Sequence, residues 1–150
     1  MERYRYKKVI ADGVAAVVLN KGRALLLLRR QLPFVKNPGK WSFIFGKREK
    51  CEGYLEAAYR EIKEETGIGM ANLSILCKGF DVQIFDSRNG ITWKNKMFIF
   101  RSDTEKAKRN FENAAIRWAT LDEIMRHDRY DNIFIDEAKI LRMIKRYSDG

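Results

Sequence analysis

The stretch Gly46 to Ile68 reads GKREKCEGYLEAAYREIKEETGI, and its spacing governs the reading of the whole chain. A glycine is followed by five residues, Glu52, seven more residues, and then Arg60-Glu61-Ile62-Lys63-Glu64-Glu65-Thr66-Gly67-Ile68. The pattern predicts an amphipathic helix from Gly53 to Thr66. At about 100° per residue, Leu55, Ala58, Tyr59, Ile62 and Thr66 share one face, and Glu61, Glu64 and Glu65 share the opposite one. Gly67 suits a left-handed C-cap, so the helix is expected to stop there. Glutamates at i, i+3 and i+4 repel one another by a few tenths of a kcal/mol per pair in an isolated helix. So dense a cluster is either a solvated acidic face or a seat for a cation. Mg²⁺ and Mn²⁺ prefer oxygen ligands of this kind. In a basic chain, with Gly46, Glu52 and Arg60 at fixed offsets, the cation seat is the stronger reading.

The arrangement matches G-x5-E-x7-R-E-U-x-E-E-x-G-U, with U aliphatic, and on these residues the chain resembles the Nudix hydrolases. All seven fixed residues are present, and Ile62 and Ile68 fill the aliphatic positions. The resemblance implies hydrolysis of a nucleoside diphosphate linked to a further group X, with Mg²⁺ or Mn²⁺ held on the helix. It implies Glu61, Glu64 and Glu65 as metal ligands, joined by the backbone carbonyl of Phe45. Arg60 is expected to orient the cluster by pairing with a neighbouring carboxylate, Glu61 first. Glu52 is expected to serve in the preceding loop as a structural or water-mediated contact, and Gly46 to allow a tight loop there. In several members a glutamate beyond the box assists as general base. Glu112 is the candidate here, with Glu105 and Asp103 as alternatives and surface charge as the plain explanation for any of them.

Two departures from the family pattern bear on loop shape. The Pro-Gly-Gly turn that often leads into the box is replaced by Ile44-Phe45-Gly46, and the usual Pro-Gly before its first glutamate by Lys50-Cys51.

Length and composition suit one globular domain over residues 1–150, with 45% apolar residues. No apolar run reaches the 18 or so residues of a membrane span, and the first residues lack the apolar centre of a signal peptide. Cys51 and Cys77 fit no zinc or CxxC spacing, and two cysteines suggest a reducing, cytoplasmic setting. Cys77 reads as a strand residue turned inward.

The expected architecture is α/β (α+β), a Nudix-type α/β/α sandwich around a mixed sheet. Val14–Leu19 and Ala24–Arg29 flank the hairpin signal Asn20-Lys21-Gly22. Gln31–Lys40 reads as a loop over the site mouth, and Trp41–Phe45 as one short strand. Leu73–Phe85 and Ile91–Arg101 read as long strands around the turn Asp86–Gly90. Ser102–Asn110 is an expected loop, Ile116–Ala119 a strand, Thr120 a helix N-cap paired with Glu123, and Asp136–Tyr147 a last helix with Ile140, Ile144 and Tyr147 inward. His127 reads as a helix C-cap or a solvated side chain. Trp41 and Trp93 could stack on a base, although a strand aromatic is more often core.

The formal net charge of +10 points to polyanionic partners rather than to a fold. Basic residues gather around the expected site: Arg29, Arg30, Lys36, Lys40, Lys47, Arg48 and Lys50, with Lys94, Lys96 and Arg101 on a later strand. Arg29, Lys40 and Lys47 are the candidates for phosphate contact, an arginine offering a bidentate fork and a lysine a point charge. The expected function is a Mg²⁺- or Mn²⁺-dependent pyrophosphohydrolase, with nucleoside triphosphates or dinucleoside polyphosphates as the leading substrates. The alternatives are an RNA-directed decapping-like or RNA-binding Nudix protein, an ADP-ribose or nucleotide-sugar hydrolase, and a non-catalytic nucleotide sensor. No membrane partner is expected; a homodimer is compatible with the sequence.

Overall fold

A computed structural model describes residues 7–29, 39–86, 91–127, 130 and 137–148. Strands β1 (Lys7–Asn20), β2 (Arg23–Arg29), β3 (Trp41–Ser42) and β4 (Ile44–Lys47) precede helix α1 (Tyr54–Thr66). Then come β5 (Leu73–Asp86), β6 (Ile91–Ser102), β7 (Asn113–Thr120), α2 (Leu121–Arg126) and α3 (Glu137–Ser148). The strands form one seven-stranded mixed sheet, in which β1 runs parallel to β6 and the other pairings are antiparallel.

The β1–β2 hairpin turns through Lys21 and Gly22, both at positive φ (51° and 76°). Two left-handed residues in a two-residue loop match the right-handed twist of the flanking strands. Backbone pairing between β1 and β2 is confined to Leu19–Ala24 and Asn20–Arg23. Beyond that point the sheet forks. β2 leaves β1 to pair with β3 and β7, and β4 takes the vacated edge of β1 at Gly13–Ala16. The single strand expected over Trp41–Phe45 is therefore two, divided at Phe43, because its halves pair with different partners. Phe43 itself is fully buried, its ring edge-on to Tyr130 at 5.6 Å.

Two strands run longer than their apolar patterns. β1 begins at Lys7 because Lys7 and Lys8 pair with Ile91 and Thr92 of β6 across a register shift. β7 begins at Asn113 because it follows β2 as far as Arg29. The first extension rests on backbone pairing and the second begins at a buried polar residue, so apolar periodicity reveals neither.

Alternation along the strands separates two apolar layers. Ala16, Val18, Leu25, Ile44, Phe98 and Phe100 meet Ala58 and Ile62 of α1 on one face. Ala15, Val17, Phe45, Met97 and Ile99 meet Ile124 of α2 and Ile140 and Ile144 of α3 on the other. This is the expected layering, with helices on both faces. Burying a side chain such as Ile62 contributes about 2 kcal/mol. Thr120 caps α2 with Glu123 as expected, His127 is its C-cap, and Cys77 lies half-buried on β5. Among the described residues, no helix is long and apolar enough to cross a membrane. The expected loop over Gln31–Lys40 and the turn over Asp86–Gly90 fall largely outside the described residues.

Candidate active site

The site grows from α1. Its first turn is held by Glu56, whose Oε1 accepts from the Gly53 N–H at 2.9 Å. Its last turn closes where Gly67, at φ 78°, donates its N–H to Lys63 O at 2.9 Å. Ala58, Ile62 and Thr66 face inward as the periodicity predicts.

The three glutamates do not share an exposed face, and here the expectation is corrected. Glu65 is only 4% exposed, the side chain of Glu61 is 13% exposed, and only Glu64 turns mostly to solvent. Glu65 is drawn inward by a chain segment far away in sequence. Asn113 Nδ2 donates to its Oε1 at 3.5 Å, and the Lys108 N–H donates to Thr66 O at 2.7 Å. Burial pushes the Glu61 carboxyl above the usual range. The charge of Glu64 adds to that rise, while Arg60 and a hydrogen bond with Glu65 oppose it.

Arg60 ties the cluster together, with Glu52 rather than Glu61 as its main partner. Its Nε and Nη2 grip Glu52 in a bidentate fork at 2.7 and 3.0 Å, and Nη1 reaches Glu61 at 3.1 Å and Glu64 at 3.3 Å. Nη2 also donates to Lys47 O at 2.9 Å, fastening the end of β4 to the helix. The Arg60 fork holds the Glu52 carboxyl below its ordinary range, helped by the Glu49 N–H at 2.9 Å. Glu52 is thus a structural strut in this arrangement.

Gly46 is needed for a different reason from the one expected. It lies within β4, opposite Val14, rather than in a tight loop. A Cβ at Gly46 would overlap all three terminal atoms of the Glu61 carboxyl group. The left-handed residue of the loop is Cys51, at φ 66°. This is one of the positions where the chain departs from Pro-Gly, and a side chain there carries backbone strain of about 1–2 kcal/mol.

The loop after β6 lies against the C-terminal end of α1 through Lys108 and Thr66. Glu112 is therefore brought to the carboxylate end of the helix, one residue before Asn113, with its N–H bonded to Asn110 Oδ1 at 3.1 Å. The alternatives are occupied elsewhere. Glu105 pairs with Arg23 and Lys21, and Asp103 accepts from Asn72 Nδ2 at 2.7 Å. Arg29 pairs with Asn113 across β2 and β7, so its backbone borders the same end. Lys47 is exposed, its ammonium 5.7 Å from the centre of the Trp93 ring. Lys40 is exposed beside β3, and the Phe45 ring belongs to the core on the α3 side. Asn113, fully buried and bonded to Glu65, escaped the sequence reading because no local pattern couples residues 48 positions apart.

A hard cation suits this all-oxygen donor set, and the gap at Gly46 is what lets the Glu61 carboxylate lie against β4. Among the described residues, no three acidic, histidine or cysteine side chains converge as a cage, and the guanidinium of Arg60 supplies positive charge between Glu61 and Glu64.

A family model described as NUDIX domain matches residues 9–142. The chain belongs to the Nudix hydrolase family. This Nudix chain is 38% identical over 88 residues to the RNA pyrophosphohydrolase of Pelagibacter ubique, a match covering 58% of this chain and 54% of that protein. It is 26% identical over 117 residues to Nudix hydrolase 5 of Arabidopsis thaliana, covering 74% of this chain and 36% of that protein. The chain therefore spans about half the length, or less, of these curated relatives. The crystal structure of a C. elegans Ap4A hydrolase binary complex shares the fold, with a TM-score of 0.75 at 20% identity, over 94% of this chain and 99% of that one.

Proposed function

We propose that residues 1–150 act as one Nudix domain that hydrolyses a phosphoanhydride bond in a nucleotide carrying more than two phosphates, a nucleoside triphosphate or a dinucleoside polyphosphate. The observation that carries this reading is the Arg60-bridged set of Glu52, Glu61 and Glu64 beside the side-chain gap at Gly46. Glu61, Glu64 and Glu65 would hold Mg²⁺ or Mn²⁺, with the Phe45 carbonyl as a backbone ligand. When bound, such an ion neutralises phosphate oxygens and lowers the pKa of water. The chain's own residues supply the rest. Arg60 fixes the carboxylates to one another and to β4, so that their charges are placed before substrate arrives. Glu112 accepts the proton of the attacking water as its oxygen bonds to phosphorus and the bridging P–O bond breaks. Lys47, Lys40 and Arg29 bind the phosphates that do not react, the lysines as point charges.

A second reading is an RNA 5′ end as substrate. It is favoured by the similarity to an RNA pyrophosphohydrolase and by the net charge of +10. A panel of nucleoside triphosphates, diadenosine polyphosphates, ADP-ribose, nucleotide sugars and 5′-triphosphorylated RNA, run with Mg²⁺ and with Mn²⁺, tests both. The expected result is cleavage of one polyphosphate class that stops when EDTA is added. Cleavage restricted to ADP-ribose or nucleotide sugars would overturn the substrate class, and silence across the panel would overturn the enzyme reading.

A further inference from the structure

On the α1 face of the sheet, beside the N-terminal end of the helix, lies a cleft of about 380 Å³ that the hydrolytic site does not use. Tyr54 of α1 forms one wall. The floor is a row across three strands: Asp12 of β1 pairs with Lys94 of β6, and Lys94 with Gln83 of β5. Asp81 and Lys96 pair in the next row and are joined by an ion pair of 2.8 Å.

The chemistry of this lining is specific. Lys94 is exposed and makes no ion pair among the described residues, so its charge is available to an anion. Asp12, bonded to Arg48 and Tyr54, and Asp81, paired with Lys96, keep further carboxylate lone pairs that can take paired hydroxyls, and Gln83 offers both a donor and an acceptor. The Arg48 guanidinium lies 4.6 Å from the centre of the Tyr54 ring. The space suits a single ligand of nucleotide size.

The cleft is also wired to the carboxylate cluster. Arg48 bonds Asp12 at 2.7 Å and Glu52 O at 2.6 Å, and Glu52 carries the Arg60 fork. Tyr54 and Glu61 are seven residues apart on one helix, about 10 Å along its axis. That is within the reach of neighbouring units of one polynucleotide strand.

We infer that this cleft binds a ribonucleotide unit, its phosphate on Lys94 and its ribose hydroxyls on Asp12 and Asp81. The inference deepens the hydrolase reading and rests on it for the class of ligand. Two sources share this chemistry: the nucleotide that follows the 5′ end of an RNA substrate, and a free mononucleotide.

The test measures binding rather than turnover, so the cleft and the hydrolase reading can fail separately. Protein spanning residues 1–150 and carrying Glu65→Gln is titrated with a labelled 5′-triphosphorylated RNA pentamer, with ATP and with AMP, across a salt series. Lys94→Ala is then added. The expected result is pentamer binding weakened at least about fivefold, with the slope of log K against log salt reduced by about 0.7, the share of one single-strand phosphate contact. Lys94→Arg should restore the slope. ATP and AMP unaffected by Lys94→Ala would identify the RNA chain as the source. An equal loss for AMP would identify the free nucleotide. Pentamer, ATP and AMP binding all unchanged, with the same salt slope, would overturn the inference. An enzyme silent on every substrate but still binding RNA through Lys94 would leave the cleft standing and remove the hydrolase reading.

Discussion

Replacing Gly46 by alanine separates position from stability at the carboxylate cluster. Gly46 is outside the left-handed region, so a side chain adds no backbone strain, and alanine within a strand gains about 0.5–1 kcal/mol over glycine. Against that gain, the new Cβ overlaps the Glu61 carboxyl group, which must rotate away from β4. Moving that flexible side chain off its rotamer costs about 0.5–1.5 kcal/mol. The two effects nearly cancel, and the melting temperature should stay within about 4 °C of wild type. Turnover should not. Displacing a charged group by about 1 Å at a reacting centre costs roughly 100-fold. The assay is kcat/KM on the substrate the panel identifies, paired with a thermal melt. The double variant Gly46→Ala/Glu61→Asp, whose carboxylate is one methylene shorter, should recover part of the loss. A Gly46→Ala protein within about threefold of wild-type kcat/KM would refute the claim that the gap positions Glu61 for catalysis.

Four further outcomes follow from particular side chains. Glu65→Gln should cost orders of magnitude in turnover while keeping the Asn113 contact, and Glu112→Gln should slow turnover without weakening the protein's affinity for Mn²⁺; metal titration and steady-state kinetics on both variants check this pair. Cys51→Gly should raise stability by about 1 kcal/mol, read as a denaturation midpoint, because glycine removes the left-handed strain at φ 66°. Glu137 has a buried Oε1 with no hydrogen-bond partner among the described residues, and burial raises its carboxyl pKa. A raised carboxyl stabilises the fold at low pH and loses that contribution as pH rises through the folded value. Glu137→Gln should therefore raise the melting temperature at neutral pH and lose its advantage in acid; an equal shift at both pH values would contradict the burial argument.

The sequence made the chemistry of the box legible because its residues sit at fixed local offsets on one helix. Gly67 as a C-cap, Thr120 as an N-cap and the Lys21-Gly22 turn were readable for the same reason, since each acts through a single local conformation. What stayed hidden depended on distant partners. Helical periodicity put Glu65 outside, and only the arrival of Asn113 and Lys108 from the loop after β6 brings it in. Glu52 was legible as a box residue but not as the main partner of Arg60, since the loop brings it within 2.7 Å of a residue eight positions away. The division of Trp41–Phe45 was illegible because both halves are apolar, and only pairing with different strands distinguishes them.

The fork in the sheet leaves two groups of strands that diverge from one hairpin. β2, β3 and β7 lie on one side, carrying Asn113 and its neighbour Glu112; β1, β4, β5 and β6 form the other, with α1 lying across it and carrying the carboxylates. Among the described residues, β1 and β2 pair only at Leu19–Ala24 and Asn20–Arg23, while Phe43 joins β3 to β4 and Leu25 and Leu27 share an apolar layer with α1. Asn113 lies opposite Arg29, six residues along β2 from Arg23, or about 20 Å of strand. The contact between Glu65 and Asn113 closes the open end of the fork, where the described residues show no β1–β2 pairing.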